Sequence, residues 1–367
     1  MRIGIDARLA YFRQAGISRY TLQLIEGLAR CDSDDEFVIL QSIKSKEPIL
    51  DRPNFAVRRL ITPSHHRLEQ VTLPFEIAMK GLDVLHSPDF IPPFRRRCQS
   101  VITIHDLVFI LYPHFLTKDA ARYYGQIDEA VRRTDAIIAV SQATKQDIVR
   151  LLGVPEHKIT VIYEAASSIF KPMRSNDLVQ RVRGRFGLRS DFILFVSTIE
   201  PRKNLSTLLK AYRQLLNDYR PDTKLVIAGE KGWLYEEVFQ LVTELKLVDD
   251  VVFLGRVSTE ELLWLYNTAE VLVAPSIYEG FGLTPLEAMA CGTPVVVSNV
   301  SSLPEIVGDA GLLFNPYEVD ELTVAIWRLL NDSELRASLA EKGIKRAANF
   351  SWDKAAQETL KLYRSLA

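Results

Sequence analysis

Short apolar runs recur along the whole chain, each followed by a longer stretch of helical period, and that alternation is what parallel strands joined by crossover helices require. The runs form two series. The first comprises Arg2–Ile5, Phe37–Leu40, Ala56–Leu60, Asp83–Leu85, Val101–Ile104, Ala136–Val140 and Ile159–Ile162; the second comprises Phe192–Val196, Leu225–Ala228, Val251–Leu254, Val271–Ala274 and Val295–Val297. Each series predicts an α/β, doubly wound, Rossmann-like domain. At about 150 residues per domain, a chain of 367 residues has room for two. Between them, Glu164–Asn176 carries Ala-Ala-Ser-Ser, a Lys-Pro and a polar Arg-Ser-Asn, and reads as the linker. The expected domains are therefore 1–168 and 177–350, with a terminal helical stretch, 352–367, packing back on the first.

Helical segments are expected over Asn204–Asp218 and Thr259–Thr268, the latter capped by Ser258 with Glu261 three residues on. Open parallel sheets bind ligands beyond the carboxyl ends of their strands, where helix N-termini present free amides. Two such sheets facing each other would enclose a cleft, and the functional residues should lie just after strands.

Charge and cysteine content narrow the function classes. Lys plus Arg (45) nearly cancels Asp plus Glu (46), so no summed field points to nucleic acid. Three scattered cysteines, Cys31, Cys98 and Cys291, make neither a disulfide framework nor a zinc site and suit a reducing, cytoplasmic setting. A charge at Asp6 interrupts any signal-like apolar run, and no window is apolar enough to span a membrane. No G-x-G-x-x-G follows a strand, which counts against a dinucleotide dehydrogenase. Asp32-Ser33-Asp34 has a metal-like spacing but sits in a charged connection and reads as a solvated turn, and Arg95-Arg96-Arg97 reads as a basic loop.

Four constellations can carry chemistry. In Tyr278-Glu279-Gly280-Phe281-Gly282-Leu283-Thr284-Pro285-Leu286-Glu287, after the strand ending at Ala274, the glycines permit a tight turn and close approach to a ligand, and Pro285 suits a first helical turn. A capping box of Thr284 and Glu287 explains those two residues equally well, but leaves Glu279 and the glycines unexplained. In Ser197 to Asn204, Arg202 and Lys203 stand at a helix start, where the dipole disfavours cations; they would neutralise a departing diphosphate there, or form a solvated pair. Gly16 follows the loop after the first strand and opens a helix whose face is Ile17, Tyr20, Leu24 and Leu28; it either admits phosphate oxygens or is an ordinary loop glycine. His105-Asp106 directly follows a strand and is either an imidazole with an orienting carboxylate or a satisfied structural pair. His86 and Asp89, near another strand end, read as structural.

Together these residues resemble glycosyltransferase family 4, the retaining nucleotide-sugar transferases of GT-B fold. The resemblance covers nearly the whole chain: Gly-Ile-Asp-Ala-Arg with the Gly16 loop, His105-Asp106, Val140-Ser141, Glu200-Pro201-Arg202-Lys203-Asn204, Phe253-Leu254-Gly255, and Pro275 through Gly292 with its E-x7-E pair, Glu279 and Glu287. It implies that Glu279 contacts the donor sugar beside the Gly280, Phe281, Gly282 and Leu283 amides with Thr284 following. It further implies that Glu287 holds the ribose, that Lys203 with Arg202 clamps the diphosphate, and that Gly16 faces the phosphates. Phe253, Gly255, Arg256 and Val257 would line the base, and His105, with Asp106, would lie near the anomeric carbon. Two departures stand out. Val196-Ser197-Thr198 replaces the usual Gly-Arg, so the second cation comes from Arg202; Glu164-Ala165-Ala166-Ser167 replaces Asn-Gly-Val-Asp.

The expected function follows: a retaining, metal-independent transferase with no cofactor beyond its nucleotide-diphosphate sugar. It would move a hexose, mannose from GDP-mannose being favoured, to a glycan or lipid-linked acceptor held by the first domain. Contact loops around Ser64–Thr72 and Phe109–Arg122 would serve sugar or peripheral membrane contact. The alternatives are a nucleotide-sugar hydrolase or epimerase, and a non-catalytic sugar-nucleotide-binding subunit.

Overall fold

A computed structural model describes residues 1–12, 16–31, 34–66, 68–78, 80–113 and 122–366. Parts of three sequence expectations lie outside the described residues: positions 13–15 of the loop before Gly16, the 32–33 portion of the acidic turn, and 67 and 114–121 of the two contact loops. The chain divides into two compact units, residues 1–164 with 351–367, and residues 165–350.

The first unit holds a seven-stranded parallel sheet of β1 (Arg2–Asp6), β2 (Glu36–Ser42), β3 (Phe55–Leu60), β4 (Val84–Ser87), β5 (Gln99–Ile104), β6 (Ala136–Ala139) and β7 (Ile159–Val161), in the order β3-β2-β1-β4-β5-β6-β7. The second holds β8 (Asp191–Val196), β9 (Thr223–Ala228), β10 (Val251–Gly255), β11 (Val271–Ala274), β12 (Val295–Ser298) and β13 (Leu312–Phe314), in the order β10-β9-β8-β11-β12-β13. In each sheet the strand order reverses once, between β1 and β4 and between β8 and β11. These are the switch points beyond which open sheets open a crevice for ligands.

Continuous apolar strands are needed because helices cover both faces of a parallel sheet. Ile3, Ile5, Val38, Ile39, Val101 and Ile102 are accordingly buried. In the second unit, Leu208, Leu209 and Leu215 of the helix Leu205–Asp218 join Leu322, Ile326 and Leu329 of the helix Val319–Asn331 against Phe195, Ile227 and Val273. β13, Leu312-Leu313-Phe314, was not expected from the sequence: it is an apolar run of only three residues at the sheet edge, with Leu313 exposed.

The helix Trp352–Arg364 belongs to the first unit and lies against the helix Gly16–Cys31. Their contact is close enough that a side chain at Gly27 would come within 2.8 Å of the Trp352 carbonyl oxygen. Tyr363 Oη meets His86 Nδ1 at 2.5 Å, His86 Nε2 meets Thr103 Oγ1 at 2.8 Å, and Tyr20 completes the buried chain through Thr103. Burial, with a smaller contribution from His105, pushes the His86 pKa down to about 3, so this imidazole is neutral and structural.

Of the stretch 164–176 read from sequence as a linker, Glu164 belongs to the first unit and residues 165–176 lie on the second. Phe170 is buried edge-on to Tyr266, and Asn267 bonds the backbone of Lys171 and Met173. Arg96 also departs from the basic-loop reading, because its side chain turns inward to Pro93, Arg133 and Asp135. Among the described residues no helix is long and apolar enough to cross a membrane, and no disulfide joins Cys31, Cys98 or Cys291.

Candidate active site

In the second unit, the chain leaving β8 and the chain leaving β11 meet at the switch point. After β8, Pro201–Lys203 makes one tight 3-10 turn that ends at Asn204, whose φ is 55°. The Asn204 amide ties this turn to the Pro275 and Pro316 carbonyls at 3.0 and 2.8 Å, and Ile277 N donates to the Arg202 carbonyl at 3.0 Å. These bonds hold Arg202 and Lys203 beside the loop after β11.

Lys203 Nζ donates to Glu279 Oε1 at 2.6 Å, and Arg202 Nη1 reaches Glu279 Oε2 at 3.2 Å and the Tyr278 carbonyl at 3.0 Å. Ser276 Oγ donates to Glu279 Oε1 at 2.7 Å. Arg202 also pairs with the buried Glu200, at 2.9 Å from Nη2. Burial alone would raise the Glu279 pKa, but Lys203 and Arg202 outweigh it and hold the carboxyl at about 2. At Glu200 burial wins instead, and its pKa is raised despite Arg202. The cluster thus presents two cations against two carboxylates, with Glu279 firmly ionised and therefore an acceptor only.

Beyond Glu279, Ser302 Oγ donates to the Glu279 and Phe281 carbonyls, and Glu279 N donates to Ser301 Oγ, which fixes the loop's path. The helix Leu283–Ala290 starts at Gly282, which has φ 113° and no side-chain cap. That overturns the capping-box reading: the positive φ starts the helix at Leu283, so Thr284 lies within its first turn. Glu287 turns inward, buried, and accepts a 2.9 Å bond from Tyr266 Oη. The Ser258–Glu261 capping box is present as expected.

The other expected donor residues lie as follows. Phe281 is buried and meets Phe350 edge-on, so its backbone rather than its ring faces the loop. Phe253 stacks on Phe239 at 4.6 Å, which commits its ring to packing. Gly255 ends β10 at φ 66°, with Arg256 and Val257 following, and Arg256 is exposed near Glu230 at 3.5 Å. Gly229 was missed by sequence reasoning; its N–H donates to the Gly255 carbonyl, and a Cβ there would fall 1.8 Å from the Ser197 carbonyl oxygen.

In the first unit, His105 follows β5 and both ring nitrogens are engaged, Nδ1 with Glu164 at 2.9 Å and Nε2 with the Pro88 carbonyl at 2.9 Å. Both partners are oxygen acceptors, an arrangement that the protonated ring satisfies with both nitrogens at once. Burial would lower its pKa, but the Glu164 bond and charge raise it. This leaves neither ring nitrogen a spare hydrogen for a sugar. Glu164, noted in sequence only as a departure, is the buried partner that sets this state. Asp106 accepts from Val108 N at 3.1 Å and so holds the turn after β5. Gly16 is exposed, with nothing within 4 Å of where a Cβ would lie.

Comparison with known proteins identifies the family. Residues 179–346 match the family model described as Glycosyl transferases group 1, and residues 15–166 match Glycosyltransferase Family 4. The chain is 36% identical to O-antigen chain mannosyltransferase B of Escherichia coli, over 96% of each chain. It is 30% identical to the serotype-specific mannosyltransferase WbdA of Escherichia coli, over 69% of this chain and 32% of that protein. Among solved structures, sucrose-phosphate synthase from Thermosynechococcus elongatus superposes with a TM-score of 0.80 at 24% identity, covering 100% of this chain and 98% of that one.

Proposed function

The chain belongs to glycosyltransferase family 4, with the GT-B fold, and on that premise we propose that it moves mannose from GDP-mannose to a hydroxyl of a glycan or lipid-linked acceptor. Glycosyl transfer is the activity of the family, so the hydrolase, epimerase and non-catalytic readings are set aside. The observation that carries the donor reading is the convergence of Lys203, Arg202 and Glu279 at the β8/β11 switch point. The preference for mannose is supported by two relatives whose names specify mannosyl transfer.

The chemistry proposed follows charge. As the bond from the anomeric carbon to the diphosphate oxygen breaks, negative charge grows on the leaving group and positive charge on the sugar ring. Lys203 and Arg202 would exchange carboxylate for phosphate oxygens, with the uncapped amides opening the helix at Leu283 adding to them. Glu279, an ionised acceptor, suits the hexose hydroxyls, and Glu287 with Tyr266 the ribose. The new bond would form on the face the diphosphate leaves, its oxygen taking the acceptor's proton, which gives retention. Two fixed cations supply the neutralisation that a metal ion supplies elsewhere, so the reaction is proposed to be metal-independent. The setting proposed is the cytoplasm, with peripheral membrane contact.

A thermal-shift panel of GDP, UDP, ADP and their sugars tests this, because a ligand bound only by the native state raises its melting temperature. GDP-mannose is expected to give the largest shift, followed by mannose transfer with an α product from the α donor. A larger shift with UDP-sugars overturns the mannose assignment, and an inverted anomer overturns retention.

A further inference from the structure

The cluster at the β8/β11 switch point is charge-balanced before anything binds. Arg202 and Lys203 supply the cations, Glu200 and Glu279 the carboxylates, and Arg202 touches both carboxylates. A nucleotide sugar brings a doubly charged diphosphate that does not titrate near neutral pH. Seated on Lys203 and Arg202, it would leave the cluster with an excess of negative charge in a place largely closed to water. Like charges brought close to a buried carboxylate favour its protonated form.

Geometry separates the two carboxylates. Glu279 accepts from Lys203, Arg202 and Ser276 together. At Glu200, Arg202 reaches Oε1 from Nε at 3.1 Å and from Nη2 at 2.9 Å, so a proton placed on Oε2 leaves both contacts intact. The Glu200 side chain is 6% exposed, and burial already raises its pKa.

The backbone holds Glu200 in that position. Lys203 N donates to the Glu200 carbonyl and Gly232 N to the Ile199 carbonyl, each at 3.0 Å, and a Cβ at Gly232 would lie 3.5 Å from the Glu200 Cβ. The loop after β9 thus packs alongside, with its own charges engaged elsewhere: Lys231 Nζ lies over the Tyr235 and Phe239 rings at 4.9 and 4.8 Å, and Glu230 pairs with Arg256 at 3.5 Å. The charged groups that act on Glu200 are Arg202 and Lys203 of its own turn and Glu279 of the loop after β11.

We infer that Glu200 is a proton-coupled positioning residue: seating the donor diphosphate draws a proton from solvent onto Glu200 Oε2, and that proton returns to solvent when the nucleoside diphosphate leaves. The inference rests on the donor reading above. The step forms an O–H bond at Oε2 with a proton from water or buffer and changes no other bond. As a carboxylate, Glu200 aims Arg202 in the empty cluster; as an acid, it keeps that hold through Oε1 without repelling phosphate.

Calorimetric titration of the full chain with GDP-mannose, in buffers of low and high ionisation enthalpy, counts the protons taken up. The bound state has the higher Glu200 pKa, so affinity is greatest below the free value and falls as pH rises through the bound one. Net uptake is expected, with affinity falling between about pH 5 and about pH 8 by no more than about tenfold per pH unit, the limit for one linked proton. Glu200→Gln carries the neutral form permanently; it should bind with no proton exchange and an affinity that changes less than about twofold over that range. Glu200→Asp draws the carboxylate back from Arg202 by one methylene and should shift the pH midpoint of affinity, which keeps the assignment testable if the Gln variant does not fold. GDP-mannose binding without proton uptake, uptake that persists in Glu200→Gln, or an unmoved midpoint in Glu200→Asp overturns this inference and leaves the donor reading standing. Failure of GDP-mannose to bind at any pH overturns the donor reading and this inference with it.

Discussion

Lys203 and Glu279 form a 2.6 Å ion pair across 76 residues of sequence, bringing the loop after β8 to the loop after β11. A cation that a leaving diphosphate needs is thereby stored against the carboxylate that would greet the sugar. Removing Lys203 takes one of the two cations from the leaving group and leaves Glu279 with Arg202 as its remaining ion-pair partner and Ser276 as a hydrogen-bond donor. Lys203→Ala is expected to lower kcat for mannose transfer by about 10²- to 10³-fold, the scale for one stabilising donor. Steady-state transfer kinetics with GDP-mannose measure it; a loss below tenfold contradicts the clamp.

The same pair carries a pH signature. The Glu279 carboxyl lies at about 2 in the folded chain, below its unfolded value near 4.5, so its contribution is complete above the unfolded value and is lost as pH falls toward 2. Glu279→Gln should therefore cost on the order of 3 kcal/mol at neutral pH and much less near pH 2. Denaturant melts of both proteins over that range test it, and parallel pH profiles would contradict it.

His105 shows the opposite sign. Its folded pKa is raised, so its contribution is present below the unfolded value near 6.5 and is lost as pH rises through the folded one. Glu164→Gln removes the partner charge, so it should lower Tm more at pH 6 than at pH 9. An NMR titration of the His105 ring in that variant should move its midpoint downward; an unmoved midpoint would show that Glu164 does not set the imidazolium.

Gly229 sets the spacing between strand ends in the second unit. A methyl group there would lie 1.8 Å from the Ser197 carbonyl oxygen, a backbone atom that cannot swing aside. Gly229→Ala should destabilise by about 3 kcal/mol or more, at the upper end for overpacking. A melting temperature within a degree of the parent would contradict it.

Much of this was legible before any coordinates, and the reason is local. A strand of a covered parallel sheet carries a largely apolar run, so β1 to β12 declare themselves even where, as in β3, the run is interrupted by exposed arginines, and residues just after them are where ligands meet such sheets. The Pro201-Arg202-Lys203 turn and Glu279 were found that way. What stayed hidden depends on partners distant in sequence. Glu164 looks like a replaced linker residue until His105 is placed beside it. The Thr284–Glu287 capping box was a sound local pattern, displaced because Gly282 takes a positive φ that only the folded loop reveals.

The strapping of the helix Trp352–Arg364 onto Gly27 has a consequence for biosynthesis. The first unit is split by the whole of the second, so a ribosome that has finished its seven strands must still translate residues 165–350 before the piece that seals its flank emerges. At an elongation rate of about 5–20 residues per second that is a delay of roughly ten to forty seconds. Throughout that interval the Gly27 flank is uncovered while the later-made half is free to mature, so the part synthesised first is the part completed last.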